Sequence, residues 1–188
     1  MRQMGVNMRL FIAINFEDYD KDRLYENVER LKEMTKKASF TKKENLHLTL
    51  VFLGETTKIS LVEEIIAQSV EELKMREFIL QVEDFGTFHR REGDICWLGV
   101  KSYTYLSKLN EYLTFYLRKA GFKIEEQTFK PHLTLARRTI FKKEYSVDQV
   151  QKQMNTLEIP VNKISLMKSE RIEGKLVYTE IFKYKLLK

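Results

Sequence analysis

Two of the three histidines in this chain begin the same tetrapeptide, His-Leu-Thr-Leu, at His47 and again at His132. Because side chains alternate across a strand, His47 would share one strand face with Thr49, and His132 would share one with Thr134. The leucines between them would point to the opposite face, where helices can bury them. Each motif strand therefore presents one imidazole and one hydroxyl to the same space.

Two imidazoles that face each other suit chemistry at a phosphodiester. The attacking oxygen must lose a proton and the leaving oxygen must gain one, and imidazole, with an unperturbed pKa of about 6.5, can serve either step. The threonine hydroxyls can hold the non-bridging phosphate oxygens. Lys130 and Arg137 flank the second motif, and a guanidinium suits bidentate phosphate contact. This pattern predicts His47 and His132 as the catalytic pair. The predicted phosphate-binding residues are Thr49, Thr134, Lys130 and Arg137.

The same residue types admit other interpretations. Two histidines can bind a metal, but neither motif carries Cys, Asp or Glu at ligand spacing, so the prediction is no metal and no cofactor. Threonine is also a good strand former without any further role. His89 stands beside a basic turn and is interpreted as a structural polar residue. Arg90, Arg91 and Arg138 are interpreted as solvated surface charges.

The surrounding elements follow one order twice: a strand, an amphipathic helix and later a motif strand. Apolar periodicity predicts helices over residues 18–37, 57–75, 103–120 and 146–157. It predicts strands over residues 10–16, 45–53, 77–88, 95–101, 132–137, 159–169 and 175–187. The repeated order indicates a tandem pseudo-repeat within one α+β domain. The helices would cover the outer faces of the sheets, and the two inner faces would meet across a cleft.

Length and composition suit one large or two small packed units with a net positive charge. The chain has 188 residues, of which 43% are hydrophobic and 12% aromatic, enough for a sizeable core. A net charge of +6 favours polyanionic partners such as RNA, DNA or phosphorylated metabolites, although many mildly basic proteins bind none. Cys96 stands alone in an apolar run, so the prediction is a buried, inert thiol.

The short apolar run LFIAI, followed by acidic residues, predicts no signal peptide, and no apolar run reaches membrane-spanning length. The simplest prediction is a cytoplasmic monomer with no membrane partner. Residues 1–7 are interpreted as an N-terminal extension before a second plausible start at Met8. The predicted domain is therefore residues 8–188.

Longer stretches around the motifs carry a family resemblance. They are RLFIAINF near the start, ENLHLTLVFLGE, FGTF followed by CWLGV, FKPHLTLARR, and finally SLMKSER and YTEIFKYKL. From Met8 onward the chain resembles the 2H phosphoesterases, and within them the LigT-like RNA 2′,3′-cyclic phosphodiesterases, also called 2′-5′ RNA ligases. One segment and one single residue depart from the family pattern. Residues 39–43 replace a frequent Arg-Trp and two prolines, and His89 replaces a frequent proline.

The resemblance implies a bilobal fold of two pseudo-symmetric antiparallel sheets with outer helices and a central cleft. It implies metal-independent opening of an RNA 2′,3′-cyclic phosphate end to a 2′-phosphate, with tRNA fragments among the candidate RNAs. The reverse reaction would be a 2′-5′ ligation at the same site. The family assignment makes His47 the acid for the departing 3′ oxygen and His132 the base for water. The residues alone do not assign these roles, because the two settings are nearly alike.

Two other functions fit the same residues. A 2H phosphodiesterase could act on a 2′-5′ oligoadenylate, a nucleotide cyclic phosphate or a tRNA splicing by-product, because the motifs contact the phosphate and not the base. A non-catalytic RNA-end binder would use the same basic cleft, with Phe40, Phe129 or Tyr178 stacking a base. Phe40 and Phe129 are the aromatic substrate-binding residues predicted here. Turnover would separate an enzyme from a binding protein.

Overall fold

A computed structural model describes residues 7–101, 104–126 and 128–188 of the chain. The strands within these residues are β1 (Met8–Asn15), β2 (Thr35–Phe40), β3 (His47–Thr56), β4 (Phe78–Phe88), β5 (Asp94–Val100), β6 (His132–Phe141), β7 (Leu157–Val161), β8 (Lys163–Ile172) and β9 (Lys175–Lys185). The helices are α1 (Asp18–Met34), α2 (Ile59–Glu72), α3 (Thr104–Lys119) and α4 (Val147–Gln151). Apart from Asn7, the predicted extension lies outside the described residues.

The strands form two antiparallel sheets. The first sheet has the order β3-β1-β8-β9, and the second has the order β2-β6-β5-β4-β7. Helices α2 and α3 pack on the first sheet, whereas α1 and α4 pack on the second. This arrangement confirms the α+β fold with two antiparallel sheets and outer helices. It follows from the amphipathic sequence of each helix, because one apolar stripe must be buried against a sheet.

Two helices cross from the sheet of the preceding strand to the other sheet. Helix α1 follows β1 of the first sheet but packs on β2, β6 and β7 of the second. Helix α3 follows β5 of the second sheet but packs on β3 and α2. The two halves of the chain therefore share one hydrophobic core, which contains Leu48 and Leu133 from the two motifs. Strands β3 and β6, which carry the motifs, contact each other where the sheets meet.

Three element predictions are wrong, and each error has a physical cause. Residues 35–37 were predicted as the end of a helix but begin β2, a strand of polar sequence, TKKASF, that is held in place by pairing with β6. The predicted strand 159–169 is two strands, β7 and β8, which belong to different sheets. Pro160 is tolerated in β7 because this is an edge strand. Helix α4 ends at Gln151, because the chain after it turns to enter β7.

The structure also bears on the predictions for Cys96 and for membrane-spanning segments. Cys96 is fully buried on β5, and burial raises the pKa of its thiol to about 11, so the predicted inert thiol agrees with its surroundings. In the described part of the chain, no helix combines the length and the hydrophobicity that crossing a membrane requires.

Candidate active site

The two motif strands place their polar side chains on the cleft face, the face of each sheet opposite the helices. In both strands the motif leucines are buried, while the histidine and threonine remain partly exposed. On the first sheet, Phe11, Ala13, Met167 and Tyr178 form a small apolar cluster that is separate from the main core. His47 lies beside this cluster, with its ring centroid 4.9 Å from that of Phe11.

The first imidazole is held at both nitrogens. Its Nδ1 lies 2.7 Å from the main-chain oxygen of Asn45, and its Nε2 lies 2.9 Å from Oγ1 of Thr49. A carbonyl oxygen can only accept, so Nδ1 carries the hydrogen and donates it to Asn45. In the neutral ring, Nε2 then accepts from the Thr49 hydroxyl. The hydrogen bond at Nδ1 therefore fixes the tautomer, and Nε2 of His47 is directed along the cleft face.

The second imidazole is oriented in the same way. The Nδ1 of His132 lies 2.7 Å from the main-chain oxygen of Lys130. The ring of Phe88 meets the imidazole edge-on, with 5.1 Å between the centroids, and Trp97 lies 6.2 Å away. A Cβ on Gly86 would come within 2.2 Å of the indole, so glycine makes room for Trp97 on the sheet surface. The aromatic wall and the carbonyl together hold the Nε2 of His132 toward the cleft.

Lys130, predicted as a phosphate ligand, has its ammonium over the rings of this wall. Its Nζ lies 4.3 Å from the centroid of Trp97 and 5.4 Å from that of Phe88. Cation–π attraction of this kind holds a positive charge beside His132. An anion in the cleft would therefore meet a charge that is already positioned.

A β-bulge directs Arg137 to the cleft face. Strict alternation from His132 would place Arg137 with the buried leucines. The register with β5 changes at this point, because Trp97 pairs with Thr134 whereas Cys96 pairs with Ala136. The extra residue in β6 reverses the alternation, so Ala136 is fully buried and Arg137 is exposed on the opposite face. The positive charge of Arg137 contributes to lowering the pKa of both motif histidines, so this guanidinium acts on both imidazoles.

The same bulge occurs in the first motif and exposes Phe52. Ala13 pairs with Thr49 whereas Ile12 pairs with Val51, so β3 also contains one extra residue. Val51 is consequently buried, and the side chain of Phe52 is 62% exposed. Phe52 follows His47 by the same interval as Arg137 follows His132. Phe52 was not among the residues predicted from the sequence, although aligning HLTLVF with HLTLAR would have indicated it.

The aromatic residues that were predicted to stack on a base, Phe40, Phe129 and Tyr178, lie in different surroundings. Phe40 and Phe129 are partly buried against the main core, and the ammonium of Lys32 on α1 lies 5.7 Å from the centroid of Phe40. The ring of Tyr178 instead meets His47 edge-on, with 5.1 Å between the centroids. A stacking role for Phe40 or Phe129 stays a prediction.

The third histidine lies in an exposed turn. The Nδ1 of His89 is 2.8 Å from Oδ1 of Asp94, and in the same region Nε of Arg138 is 3.5 Å from Oε2 of Glu92. These pairs agree with the interpretation of His89 as a structural polar residue and of Arg138 as a surface charge. Among the described residues, no group of three or more His, Cys, Asp or Glu side chains is arranged to hold a metal ion.

Burial lowers the pKa of both motif imidazoles. It lowers the pKa of His47 to about 4, helped by the positive charges of Lys21 and Arg137 and opposed by the hydrogen bond to Asn45. Burial is also the main cause that lowers the pKa of His132, and the charges of Arg137 and Lys130 act in the same direction. Both imidazoles are therefore neutral at pH 7 when the cleft is empty. A bound anion would oppose this shift, because it stabilises the imidazolium.

The first testable consequence is a histidine titration. We expect His47 to remain neutral down to about pH 4 and His132 to titrate below 6.5, its ordinary value. Saturating inorganic phosphate should raise both pKa values. Long-range ¹H–¹⁵N spectra can follow each imidazole separately, because the chain has only three histidines. A His47 that titrates near 6.5 and ignores phosphate would contradict a buried anion site.

The fold and this pair of oriented histidines define a phosphoesterase of the two-histidine class. Two antiparallel sheets meet at strands that each carry His-Leu-Thr-Leu, and both imidazoles face one cleft. The chain belongs to the 2′-5′ RNA ligase superfamily, whose family model matches residues 20–173.

Individual relatives support this membership. The RNA 2′,3′-cyclic phosphodiesterase of Thermotoga maritima is 35% identical over 156 residues, which cover 81% of this chain and 79% of the relative. The protein of the same name from Archaeoglobus fulgidus is 30% identical and covers 69% of this chain and 72% of its own. The crystal structure of E. coli LigT complexed with 3′-AMP matches 97% of this chain and 100% of its own, with a TM-score of 0.76 and 23% identity. The structural likeness shows the shared fold.

Proposed function

We propose that this protein hydrolyses RNA 2′,3′-cyclic phosphate ends to 2′-phosphomonoesters by a metal-independent two-histidine mechanism. One observation carries the proposal: both imidazoles donate Nδ1–H to a main-chain carbonyl, which leaves each Nε2 for proton transfer on one cleft face. The names of the Thermotoga and Archaeoglobus relatives support the cyclic phosphate as substrate. RNA is one of the polyanionic partners that the net charge of +6 favours.

The proposed reaction transfers two protons. The Nε2 of His132 takes a proton from water while the water oxygen attacks phosphorus. The bond between phosphorus and the 3′ oxygen breaks, and protonated His47 donates its Nε2 proton to that oxygen. The products are a 2′-phosphate and a 3′-hydroxyl. Arg137 stabilises the charge that develops on the non-bridging oxygens, in the manner of an oxyanion site.

The hydrogen bond between Thr49 and His47 must change during this cycle. In the empty cleft the Thr49 hydroxyl donates to the neutral Nε2 of His47. Once Nε2 carries a proton it can only donate, so the hydroxyl turns toward a phosphate oxygen. The anionic substrate raises the pKa of His47 and thereby charges the acid. The acid thus becomes active when the phosphate is bound.

Ligation would use the same two proton transfers with a different nucleophile. If an RNA 5′-hydroxyl instead of water attacks the cyclic phosphate, His132 takes the hydroxyl proton, the bond between phosphorus and the 3′ oxygen breaks, and His47 protonates that oxygen, which leaves a 2′-5′ linkage; we regard this as a side activity. We expect tRNA fragments with cyclic phosphate ends to be among the substrates. The functional unit is residues 8–188 acting as a monomer. A 2′-5′ oligoadenylate or a nucleotide cyclic phosphate would place the same phosphodiester between the histidines.

The direct test uses a short RNA that ends in a 2′,3′-cyclic phosphate, incubated with the protein in excess EDTA. Mass measurement identifies ring opening, and enzymes that distinguish 2′ from 3′ phosphates identify the product. Opening to a 2′-phosphate is the expected result. Retention of the RNA without turnover would instead favour the end-binding function. Turnover of 2′-5′ oligoadenylate alone would favour the alternative phosphodiesterase.

A second prediction concerns Phe52. Its exposed ring lies on the cleft face near Phe11, with 6.1 Å between the centroids, so we expect it to stack on the terminal base. Base stacking contributes about 1–3 kcal/mol, so Phe52→Ala should raise KM about 5- to 150-fold with little change in kcat. The control is Phe115→Ala on α3, where the side chain is 59% exposed. An unchanged KM in Phe52→Ala, or an equal rise in both variants, would exclude this role.

A further inference from the structure

Asn45 connects three parts of the first sheet around His47. It is the last residue of a single 3-10 turn, Lys43–Asn45, and it is buried. Its main-chain oxygen accepts the Nδ1–H of His47 at 2.7 Å. Its side-chain amide bridges to β9, where Nδ2 donates to the main-chain oxygen of Leu176 at 2.9 Å and Oδ1 accepts from the N–H of Tyr178 at 3.2 Å. One residue therefore ties the imidazole to the neighbouring strand.

The strand that Asn45 holds supplies an aromatic neighbour of His47. The Tyr178 ring meets the imidazole edge-on and also contacts Phe11, with 4.9 Å between the centroids of Tyr178 and Phe11. The other side of the turn is held from α1, because Nζ of Lys21 donates to the main-chain oxygen of Glu44 at 3.0 Å. If β9 moved relative to the turn, the ring of Tyr178 would move away from His47.

We propose that Asn45 is a positioning residue, which keeps the reactive Nε2 of His47 aimed into the cleft by fixing both its Nδ1 acceptor and the Tyr178 wall. This inference rests on the proposed function for its effect on turnover. An amide suits the task because it donates and accepts at once, which matches the main-chain oxygen and N–H that β9 presents.

The second motif orients its imidazole in a comparable way, but through a different type of residue. The residue two positions before His132 is Lys130, whose main-chain oxygen also accepts the imidazole Nδ1–H. The Lys130 side chain does not bridge strands through an amide but lies over Trp97 and Phe88, the rings beside His132. In each lobe the residue two positions before the histidine therefore orients the imidazole and contacts its aromatic wall.

The test must distinguish a positioning role of Asn45 from a purely structural one, and Asn27 provides the matched control. The Asn27 side chain makes the same pair of bonds to one backbone segment: Nδ2 donates to the main-chain oxygen of Asn155 at 3.2 Å, and Oδ1 accepts from its N–H at 2.6 Å. Asn27 is fully buried and ties α1 to the segment before β7. Asn27→Ala should therefore destabilise the fold without reaching His47.

The experiment compares Asn45→Ala with Asn27→Ala. For Asn45→Ala we expect kcat on a cyclic-phosphate RNA to fall about 10- to 100-fold, because a small misplacement of a reacting group has an effect of this order, while KM changes less than about twofold. In long-range ¹H–¹⁵N spectra, His47 should lose its single Nδ1–H tautomer while His132 keeps its own. For Asn27→Ala we expect a lowered Tm with unchanged His47 signals and kcat.

An unchanged His47 tautomer in Asn45→Ala, together with a Tm loss like that of Asn27→Ala, would overturn the proposal. The spectra need no substrate, so they decide the positioning role even if the wild-type protein opens no cyclic phosphate. If Asn45→Ala does not fold, Asn45→Ser is measured in the same way. One hydroxyl cannot replace both amide bonds to β9, so the same change at His47 is expected, and its absence would also overturn the proposal.

Discussion

Replacing either motif histidine with alanine is expected to reduce kcat for opening an RNA 2′,3′-cyclic phosphate by about 10²–10⁴-fold. Under the proposed mechanism, each variant removes one of the two proton transfers, from water in His132→Ala and to the 3′ oxygen in His47→Ala. The remaining groups still bind the phosphate, so KM should change much less. Single-turnover rates with each purified variant measure the loss.

The third histidine provides the matched control for this prediction. His89→Ala removes an exposed imidazole that pairs with Asp94, and it should leave kcat unchanged. Thermal unfolding should accompany the kinetics, because His47 packs on Phe11 and Tyr178 and its removal also affects stability. Full activity in a folded His47→Ala or His132→Ala protein would remove that residue from the chemistry.

The pH dependence assigns the two roles. The wild-type kcat should be bell-shaped, because one imidazole must be neutral and the other charged. If His132 is the base, His132→Ala should lose the rise on the acid side. If His47 is the acid, His47→Ala should lose the fall on the alkaline side. Exchange of these two results would reverse the roles, and a flat wild-type profile from about pH 5 to 9 would contradict acid–base catalysis by the pair.

Arg137→Ala is expected to lower kcat/KM about 10²–10³-fold, as loss of a group that stabilises transition-state charge generally does. The charge of the guanidinium lowers the pKa of both imidazoles, and the proposed mechanism has these imidazoles act on the same phosphate. Arg137→Lys should recover part of the rate, because it restores the charge but not the bidentate contact. Phosphate should also raise the two histidine pKa values less in Arg137→Ala, since the anion binds more weakly.

The adjacent arginine separates a specific contact from net charge. Arg138 pairs with Glu92 on the exposed turn, with 3.5 Å between Nε and Oε2. Arg138→Ala removes the same charge one residue away and should change kcat/KM less than about threefold, as expected for a surface charge. Equal losses in the two variants would mean that the effect of Arg137 is general electrostatic attraction of RNA.

Under the proposed function, the different residues at the two bulge positions would contact different parts of the substrate. At equivalent bulge positions the first lobe exposes the ring of Phe52 and the second lobe exposes the guanidinium of Arg137. A terminal nucleotide has an aromatic base on one side and an anionic phosphate on the other. The two lobes would thus contact different parts of one nucleotide, while the matched histidines act on the phosphodiester between them.

The sequence by itself determined the motif residues and the face on which they lie. His47 with Thr49, and His132 with Thr134, share a phase because successive side chains of any strand alternate, which is a local property that needs no partner. The leucines between them are buried for the same reason. The α+β class and most helices were also predictable, because the apolar spacing within each segment records which side is buried.

Only the tertiary structure decided where the chain departs from this local periodicity. The bulges that expose Phe52 and Arg137 exist because β3 and β6 pair with β1 and β5 in a shifted register. The edge strand β2, the crossing at Asn162 between β7 and β8, and the bridge from Asn45 to β9 likewise depend on distant partners. Pairing across a sheet joins residues far apart in sequence, so the pattern within one segment cannot specify it.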